Sequence, residues 1–379
     1  MGVYLDNAAS TRMSERVIEA VTEAMRECYG NASSAHGAGI AARGEVEKAR
    51  FVVGSYFGAK PDRVVFTSGA TEANNSALCH YATQGKRQGK RHIVVSAIEH
   101  KSVLEYCRRL KDEHGFYISV VSPDAIGQIS VDSVRRTIRK TTCLVCVMAV
   151  NNETGVVQPY REIAKLCAER GIPFHCDATQ ALGKVDFGIG MDGASFSFSG
   201  HKIHGPKGVG ALVLPEGQYS FYQTFVGGAQ ESGRRGGTEN VPGIVGLSVA
   251  LSEASLENGS LCRQRILRGR LFAGLLQELG CVVLNGNLER SVPNILNVSF
   301  EGINGGSLVS MLSNLYGIYC STGSACQSGE SVPSHVLTSM GVAPDLALGA
   351  VRFSISKYTT EEEIEKTISA IKKCASDLR

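Results

Sequence analysis

The sequence predicts an α/β protein built around a mostly parallel β-sheet, and three observations lead to this prediction. Short apolar runs with the composition of strands alternate along the first two hundred residues with stretches of helical periodicity. Strands that alternate with helices in this way form parallel sheets covered by helices. Polar residues follow the strand ends repeatedly, and ligands bind beyond the carboxyl ends of the strands in such sheets. One pocket at that edge could therefore gather these residues.

Length and composition narrow the class of protein further. The 379 residues suffice for two domains, and 43% hydrophobic with 20% charged residues indicates a globular chain. A net charge of +3 is too small to indicate binding to nucleic acid or to a membrane surface. The amino-terminal stretch MGVYLDNAAS lacks the regions of a signal peptide, and no apolar run approaches the ~18 residues of a membrane span. We therefore expect a cytoplasmic protein whose 12 cysteines are reduced thiols.

The elements of the predicted sheet follow in order along the first part of the chain. A short strand at residues 3–5 precedes a helix capped by Ser14, and a second helix covers about residues 40–57. The later strands are predicted at residues 64–66, 92–97, 117–121, 144–150, 172–176 and 195–198. Helices are predicted after Thr71 and after His100, and at residues 131–139 and 162–170.

The second part of the chain has a different organisation. A glycine-rich, charged loop covers residues 227–240, and helical periodicity then resumes. Helices at 261–279 and 361–375 with strands at 295–300 and 351–355 indicate an α+β unit. We predict a large domain of residues 15–250 and a smaller domain formed by residues 1–14 and 251–379.

Cys143 and Cys146 have the C-x-x-C spacing, but they lie within a predicted buried strand. An odd spacing places two side chains on opposite faces of a strand, where they could not bind one metal ion. We therefore predict neither a zinc site nor a redox pair at these cysteines.

Lys202 lies on a loop just after the strand at 195–198, among small polar residues and glycines. A lysine amine there could form a Schiff base with a carbonyl cofactor, although a solvated loop lysine would show the same local pattern. Asp177 follows the preceding strand, and its carboxylate could keep the ring nitrogen of a pyridine cofactor protonated. The turn at Ala70 and Thr71 opens a helix, whose free N–H groups and dipole could bind a phosphate.

Eight stretches resemble the cysteine desulfurases of the NifS/IscS kind, a branch of the class V, fold-type I pyridoxal-phosphate enzymes. They occur in order along essentially the whole chain and read YLDNAAST, TSGATEANN, EH at 99–100, VNNETG, DATQ, SFSGHKIHGPKG, GGTEN and STGSACQSG. The resemblance implies a large domain with a mostly parallel seven-stranded sheet flanked by helices, and a smaller α+β domain carrying a catalytic cysteine loop. It also implies pyridoxal 5'-phosphate as cofactor, L-cysteine as substrate and a homodimer.

The resemblance assigns a role to each residue that matches a family motif. Lys202 would carry the cofactor as a Schiff base and move the substrate's Cα proton. Arg352 would bind the substrate carboxylate in a bidentate manner, which suits a planar guanidinium. The other implied roles are Asp177 at the pyridinium nitrogen, His100 stacked on the ring, Gln180 at the phenolic oxygen, Asn152 beside cofactor and substrate carboxylate, Ala70, Thr71, Ser199 and His201 at the phosphate, and Thr238 at the phosphate of the neighbouring subunit.

Cys326 defines the reaction that the resemblance implies. It lies in a stretch of glycines and small hydroxyl residues, which allows an accessible loop, and only a thiolate is a good nucleophile. Its thiolate would take the substrate sulfur as a persulfide and pass it to an acceptor such as an iron–sulfur scaffold protein. No stable metal site is expected, although Cys326 could ligate an iron–sulfur cluster transiently.

Three alternatives stay open at this point. A selenocysteine lyase would use the same pocket, another class V enzyme such as an aminotransferase would need no loop cysteine, and a non-enzymatic protein would only carry sulfur. Cys320, six residues before Cys326, is either a buried strand-end residue or a second relay thiol.

Overall fold

The computed structural model describes residues 2–186, 193–217, 221–255, 258–322 and 332–378. Strands and helices alternate through the first part of this chain, as the hydrophobic pattern predicts. The strands are β1 Val3–Tyr4, β2 Val64–Thr67, β3 His92–Ser96, β4 Tyr117–Val121, β5 Thr142–Cys146, β6 Phe174–Asp177, β7 Ala194–Ser199, β8 Gly210–Val213, β9 Val282–Leu284, β10 Ile295–Phe300, β11 Ile318–Tyr319 and β12 Ala350–Ser354.

The helices are α1 Glu15–Glu27, α2 Gly37–Tyr56, α3 Ala70–Arg87, α4 Lys101–His114, α5 Val131–Thr137, α6 Tyr160–Glu169, α7 Gln230–Gly233, α8 Val241–Ser255, α9 Asn258–Leu279, α10 Gly305–Tyr316, α11 His335–Ser339, α12 Pro344–Leu348 and α13 Glu361–Leu378. Single 3₁₀ turns lie at Pro61–Arg63 and Gly200–Lys202. No helix in these described ranges combines the length and apolar character needed to cross a membrane.

The larger sheet has the strand order β2-β8-β7-β6-β5-β3-β4, seven strands in the described part of the chain. Strand β8 runs antiparallel to both of its neighbours, β2 and β7. The other neighbouring pairs are parallel, so six strands share one direction. Their carboxyl ends therefore lie at one edge of the sheet, and the predicted fold class is confirmed.

Helices cover both faces of this sheet, and β7 shows how its sequence serves both. Phe196 and Phe198 point to one core, where their rings stack on Phe57 at centroid distances of 5.4 and 5.5 Å. Ser195 and Ser197 point to the opposite face and are fully buried. The alternation of phenylalanine and serine therefore separates an apolar core from a buried polar layer, because successive strand residues face opposite ways.

A second hydrophobic core surrounds the smaller sheets formed by β12-β10-β9 and by β1 with β11. Strand β1 pairs in parallel with β11, which brings the amino terminus to this core. Helices α9 and α13 pack on each other beside it. The predicted domain boundary at residue 250 falls inside α8, which packs on α1 and α2, and the division into domains stays a prediction.

The strand predicted at residues 144–150 has different bounds, because β5 begins at Thr142 and ends at Cys146. Its neighbour β3 ends at Ser96, so no strand remains on that side to continue the ladder. The Met148 N–H donates instead to the buried Glu99 carboxyl at 2.7 Å. The chain beyond Cys146 therefore loses its partner on the β3 side, while the Val147 and Ala149 N–H groups still donate to the His175 and Asp177 carbonyls of β6.

The prediction that Cys143 and Cys146 face opposite ways is wrong. Pairing between β3 and β5 shifts by one residue, so His92 lies opposite Thr142 while Ile93 lies opposite Leu144. A bulge of this kind turns the extra residue, and both cysteines pack in the same core beneath α3 and α4. Burial raises the pKa of Cys143 to about 11. Among the described residues no group of three or more His, Cys, Asp or Glu side chains could hold a metal ion.

A buried ion pair fixes the glycine-rich loop to the larger sheet. Arg50 of α2 donates to both carboxylate oxygens of Glu231, at 2.7 and 2.9 Å. The same carboxylate accepts the Phe66 N–H at 2.9 Å. Glu231 adopts φ +49°, a left-handed conformation that is rare outside glycine, so the loop is held in a strained shape.

We expect Arg50→Met to lower the free energy of unfolding by about 3–5 kcal/mol, because Glu231 would keep a buried charge without a partner. Denaturant unfolding measures this loss. Arg270→Met is the matched control, since Arg270 pairs with Glu361 and Glu365 on the surface and should cost less than about 1 kcal/mol. Equal losses in the two variants would contradict the structural role of the buried pair.

Candidate active site

A cavity of about 410 Å³ lies at the carboxyl edge of the larger sheet. It gathers residues that follow β2, β3, β5, β6 and β7, together with residues from the amino terminus and from the smaller sheet. The lining residues are Ala8, Ala9, Ala70, Thr71, His100, Met148, Val150, Asn152, Asp177, Thr179, Gln180, Ser199, His201, Lys202, Ser321, Thr322 and Arg352. Every predicted site residue in the described ranges lines this cavity except Thr238.

Lys202 ends the 3₁₀ turn that directly follows β7, which places its amine at the base of the cavity. Its Nζ donates to the backbone carbonyls of Ala8 and Ala9, both at 2.7 Å. Burial, and then the nearby Arg352 charge, lower the pKa of Lys202 to about 8, while Asp177 opposes this shift. Roughly a tenth of the amine is therefore neutral at pH 7, which a nucleophilic or basic lysine requires.

Asp177 is the last residue of β6, and both of its oxygens are held by donors. The Thr179 N–H donates to Oδ1 at 2.9 Å, and Asn74 Nδ2 donates to Oδ2 at 2.8 Å. The side chain is buried beside Lys202 at the cavity wall. A buried carboxylate stabilised by two donors can keep a proton on a basic nitrogen placed opposite it.

The amino terminus of α3 forms an anion cradle on another wall. Gly69 precedes the helix with φ +153° and, as a glycine, has no side chain that could cap the first-turn N–H groups. Ser199 Oγ accepts the Ala70 N–H at 2.7 Å. A Cβ at Gly69 would lie 3.1 Å from that Oγ, closer than most such contacts. Helix dipole, amides and hydroxyl together suit a phosphate group.

His201 adds a neutral donor or acceptor to this cradle. Its Nδ1 lies 3.3 Å from Ser10 Oγ. Burial, together with the charges of Lys202 and Lys207, lowers the pKa of His201 to about 4. The ring is therefore neutral at physiological pH, and its contribution to anion binding is a hydrogen bond rather than a charge.

His100 caps α4 and faces the cavity. Its Nδ1 accepts the Ser102 N–H at 3.1 Å and lies 2.8 Å from Ser102 Oγ. Because Nδ1 acts as an acceptor, the proton of the neutral ring is on Nε2. Although the ring is exposed to the cavity, the surrounding protein reduces its solvation and lowers the pKa of His100.

Arg352 comes from β12, in the three-stranded sheet. The cavity therefore lies between this sheet and the edge of the seven-stranded sheet. Its Nη2 donates to Asp6 Oδ1 at 2.9 Å, and its Nη1 donates to the Asn152 carbonyl at 2.8 Å. Gln180 Nε2 donates to the Ala8 carbonyl at 2.9 Å, and its Oε1 accepts from Lys184 Nζ at 3.1 Å. These contacts fix the positions of the predicted substrate and cofactor residues.

Two predicted site residues are not among those that line this cavity in the described part of the chain. Thr238 lines a separate cavity of about 120 Å³ with Ser68 and Arg235. Cys326 lies in residues 323–331, outside the described residues. Cys320 is buried after β11, and burial raises its pKa to about 12, as expected for a strand-end cysteine rather than a relay thiol.

Sequence reasoning missed two buried acids beneath the cavity. Burial raises the pKa of Glu99 to about 8 and the pKa of Glu153 to about 7. Glu153 accepts a hydrogen bond from Ser334 Oγ, and the Glu99 carbonyl lies 3.1 Å from His335 Nε2. Both acids directly adjoin a predicted site residue in the EH and NNET stretches, and this adjacency is the signal that could have found them.

Comparisons with known proteins identify relatives that match the whole chain. The family model described as aminotransferase class-V matches residues 3–367. The chain is 42% identical to cysteine desulfurase IscS of Serratia proteamaculans and 40% identical to a cysteine desulfurase of Nostoc sp., covering 100% of this chain and 93% and 94% of those proteins. A solved NifS-like protein matches with a TM-score of 0.93 at 39% identity over 100% of both chains.

A second solved structure, SspA in complex with cysteine, has a TM-score of 0.81 at 34% identity over 94% of this chain and 100% of that one. The chain belongs to the class V aminotransferase family of pyridoxal-phosphate-dependent enzymes. Within that family it is a member of the cysteine desulfurases of the NifS/IscS kind. The resemblance stated from the sequence is confirmed.

We expect the Lys202 amine of the apoprotein to capture pyridoxal phosphate at a rate that rises with pH, with a midpoint near 8. Only the neutral amine attacks an aldehyde. Asp177→Asn should move the midpoint down, because the Asp177 charge raises the pKa of Lys202. Stopped-flow absorbance measures both. Asp132→Asn on α5, away from the cavity, is the control, and a midpoint near the ordinary lysine value of about 10.4 would contradict the prediction.

The raised pKa of Glu99 predicts a pH dependence of stability. The folded protein keeps a proton that the unfolded chain loses, so this contribution is full below about pH 4.5 and is lost as pH rises through about 8. Glu99→Gln keeps an acceptor oxygen and has no proton to lose. Its melting temperature should fall less than that of wild type between these pH values. Exposed Glu113→Gln is the control, and parallel curves for Glu99→Gln and wild type would refute the assignment.

Proposed function

We propose that this chain removes sulfur from L-cysteine, releases L-alanine and retains the sulfur as a persulfide on Cys326. One observation carries the proposal. A single cavity contains a lysine with a lowered pKa, a buried carboxylate held by two donors, a helix N-terminus open to an anion, and an arginine from the second sheet. Membership of the cysteine desulfurase family and the cysteine-bound relative support the same reaction.

The donor set of the cavity fits pyridoxal phosphate. Lys202 would hold its aldehyde carbon, Asp177 its ring nitrogen, His100 one ring face and Gln180 its phenolic oxygen. The phosphate would lie at Ala70, Thr71, Ser199 and His201. When bound, the cofactor supplies an electron sink that acidifies the substrate's Cα proton. The protein's own side chains bind the substrate, transfer its protons and receive its sulfur.

Arg352 and Asn152 orient the substrate. The guanidinium is held from two sides, by Asp6 and by the Asn152 carbonyl, which leaves further N–H groups for a carboxylate. Lys202 then takes the Cα proton, a task that suits an amine with a pKa near 8. His100 presents Nε2–H to the cavity and can hand a proton to the departing product.

Cys326 receives the sulfur. Thr322 lines the cavity, and Cys326 follows it by four residues, a length of chain that spans at most about 14 Å. The thiolate attacks the substrate sulfur, so an S–S bond forms and the Cβ–S bond breaks with its electron pair left on carbon. Protons are then added to the carbon skeleton, which leaves as L-alanine. The enzyme thiol and L-cysteine together thus give a persulfide and L-alanine.

We further propose a cytoplasmic homodimer in which Thr238 completes the phosphate site of the neighbouring subunit. Two observations support the dimer: Thr238 does not line the cavity that holds Lys202, and Phe225 and Val226, which directly precede the glycine-rich loop, are exposed. A sulfur-acceptor protein such as an iron–sulfur scaffold would take the persulfide sulfur.

The test measures alanine and sulfide formed from L-cysteine in the presence of a thiol reductant. Cys326→Ala should lower both rates roughly a hundredfold or more and keep the visible absorbance of the bound cofactor. Lys202→Ala should lose activity together with that absorbance. Cys262→Ala on α9 is the control, because Cys262 is an exposed thiol far along the chain from the cavity residues.

Two results would overturn the proposal. A Cys326→Ala variant that forms alanine at the wild-type rate would remove the role of the thiolate. Wild-type protein that binds the cofactor and forms alanine only from selenocysteine would identify a selenocysteine lyase instead.

A further inference from the structure

Asn74 lies directly beneath the cavity and belongs to none of the assigned groups. It sits in the second turn of α3, and its side chain is fully buried against the polar face of the larger sheet. Its amide nitrogen donates to Asp177 Oδ2 at 2.8 Å and to Ser102 Oγ at 2.9 Å. Its amide oxygen faces His175 Nε2 at 2.9 Å and also accepts from Ser197 Oγ.

The surrounding protons fix the orientation of this amide. His175 is buried, and burial lowers its pKa to about 4, so the ring carries a single proton. That proton is on Nε2, because the amide nitrogen of Asn74 faces the Asp177 carboxylate and so leaves the amide oxygen, which can only accept, against Nε2. The oxygen of Asn74 therefore faces two donors. The reversed amide would place this oxygen against the Asp177 carboxylate, a repulsive contact.

Ser102 carries the second branch of the network to His100. Its hydroxyl accepts from Asn74 and lies 2.8 Å from His100 Nδ1, to which it can donate its own proton. The backbone N–H of Ser102 donates to the same Nδ1 at 3.1 Å. One amide thus contacts the carboxylate at one edge of the proposed cofactor ring and, through one hydroxyl, the imidazole proposed to stack on that ring.

We propose that Asn74 is a positioning residue of this active site, which holds Asp177 directly and His100 through Ser102 in the orientations that cofactor binding requires. The inference rests on the proposed function, since that function gives Asp177 and His100 their roles. Asn74 itself does not line the cavity and touches no reacting atom. Its amide nitrogen donates one hydrogen bond to Asp177 and one to Ser102, and the structure shows no third acceptor for it among the residues it describes. Rotation of either partner would therefore leave a buried donor unpaired, which costs free energy.

The test compares variants by two properties of the cofactor complex other than turnover. The first is the equilibrium affinity of apoprotein for pyridoxal 5'-phosphate, and the second is the visible circular dichroism of the bound cofactor. Asn74→Leu should bind about tenfold more weakly, because Asp177 loses one of its two charge-assisted hydrogen bonds. Ser102→Ala breaks only the branch to His100, so it should keep the affinity and change the dichroism.

A second variant and a double variant make the test decisive. Asn74→Asp keeps the shape and the acceptor for His175 but sets a carboxylate against Asp177, so it should bind the cofactor more weakly than Asn74→Leu. Asn74→Asp also provides the affinity measurement if Asn74→Leu does not fold. In Asn74→Leu with Ser102→Ala, the change in dichroism should be smaller than the sum of the single changes, because both act on His100 through one contact.

The matched control is Asn285→Leu. Asn285 is another buried amide, which donates to Asn297 Oδ1 and Ser299 Oγ at 2.8 Å each, and it lies outside the cavity. It should lose stability yet keep cofactor affinity and dichroism. Wild-type values in both Asn74 variants, or an equal loss in Asn285→Leu, would overturn the positioning role. Failure of the wild-type protein itself to bind the cofactor would overturn the proposed function instead.

Discussion

The shared direction of six strands in the larger sheet determines where the rest of the site can lie. Because parallel strands end at one edge, the residues that follow β2, β3, β5, β6 and β7 meet there although they are spread over more than a hundred positions of sequence. The antiparallel β8 enters between β2 and β7 without disturbing this edge. The loops at the edge can then be short, and their side chains are fixed by the strands that precede them.

The remaining walls of the cavity come from the amino-terminal segment and from Arg352, which contact the edge of the larger sheet. The backbone carbonyls of Ala8 and Ala9 hold Lys202, and the Ala8 carbonyl also holds Gln180. Asp6 and the Asn152 carbonyl hold Arg352, which belongs to the smaller sheet. The amino-terminal segment therefore contacts both the edge of the seven-stranded sheet and Arg352 of the three-stranded sheet. Neither sheet alone could present an amine and a guanidinium to one cavity.

Burial at this place has a common electrostatic consequence. Loss of solvation favours the neutral form of each buried group. It lowers the pKa values of Lys202 and His201 and raises those of Glu99 and Glu153. A neutral amine can act as nucleophile and base near physiological pH. Asp177 is a buried acid whose two carboxylate oxygens each accept a hydrogen bond, one from the Thr179 N–H and one from Asn74. Asn74 belongs to a buried polar layer that also contains His175 and the serines of β7. The polar face of β7 thus contacts the residues that hold Asp177, while its phenylalanine face packs in the hydrophobic core.

Residue patterns alone predict the fold class, the alternation of strands and helices as far as β7, and the residue types at the strand ends, whereas they miss β8, β9 and β11. The predicted features follow from local properties: hydrophobic periodicity, turn residues, and polar side chains placed after apolar runs. Tertiary structure alone decided that Cys143 and Cys146 share a core, because a one-residue shift in pairing cannot be read from spacing. It also decided the roles of Ala8, Ala9 and Asn74. Backbone carbonyls carry no residue-type signal, and a buried amide acquires its partners only when α3 packs on β6 and β7.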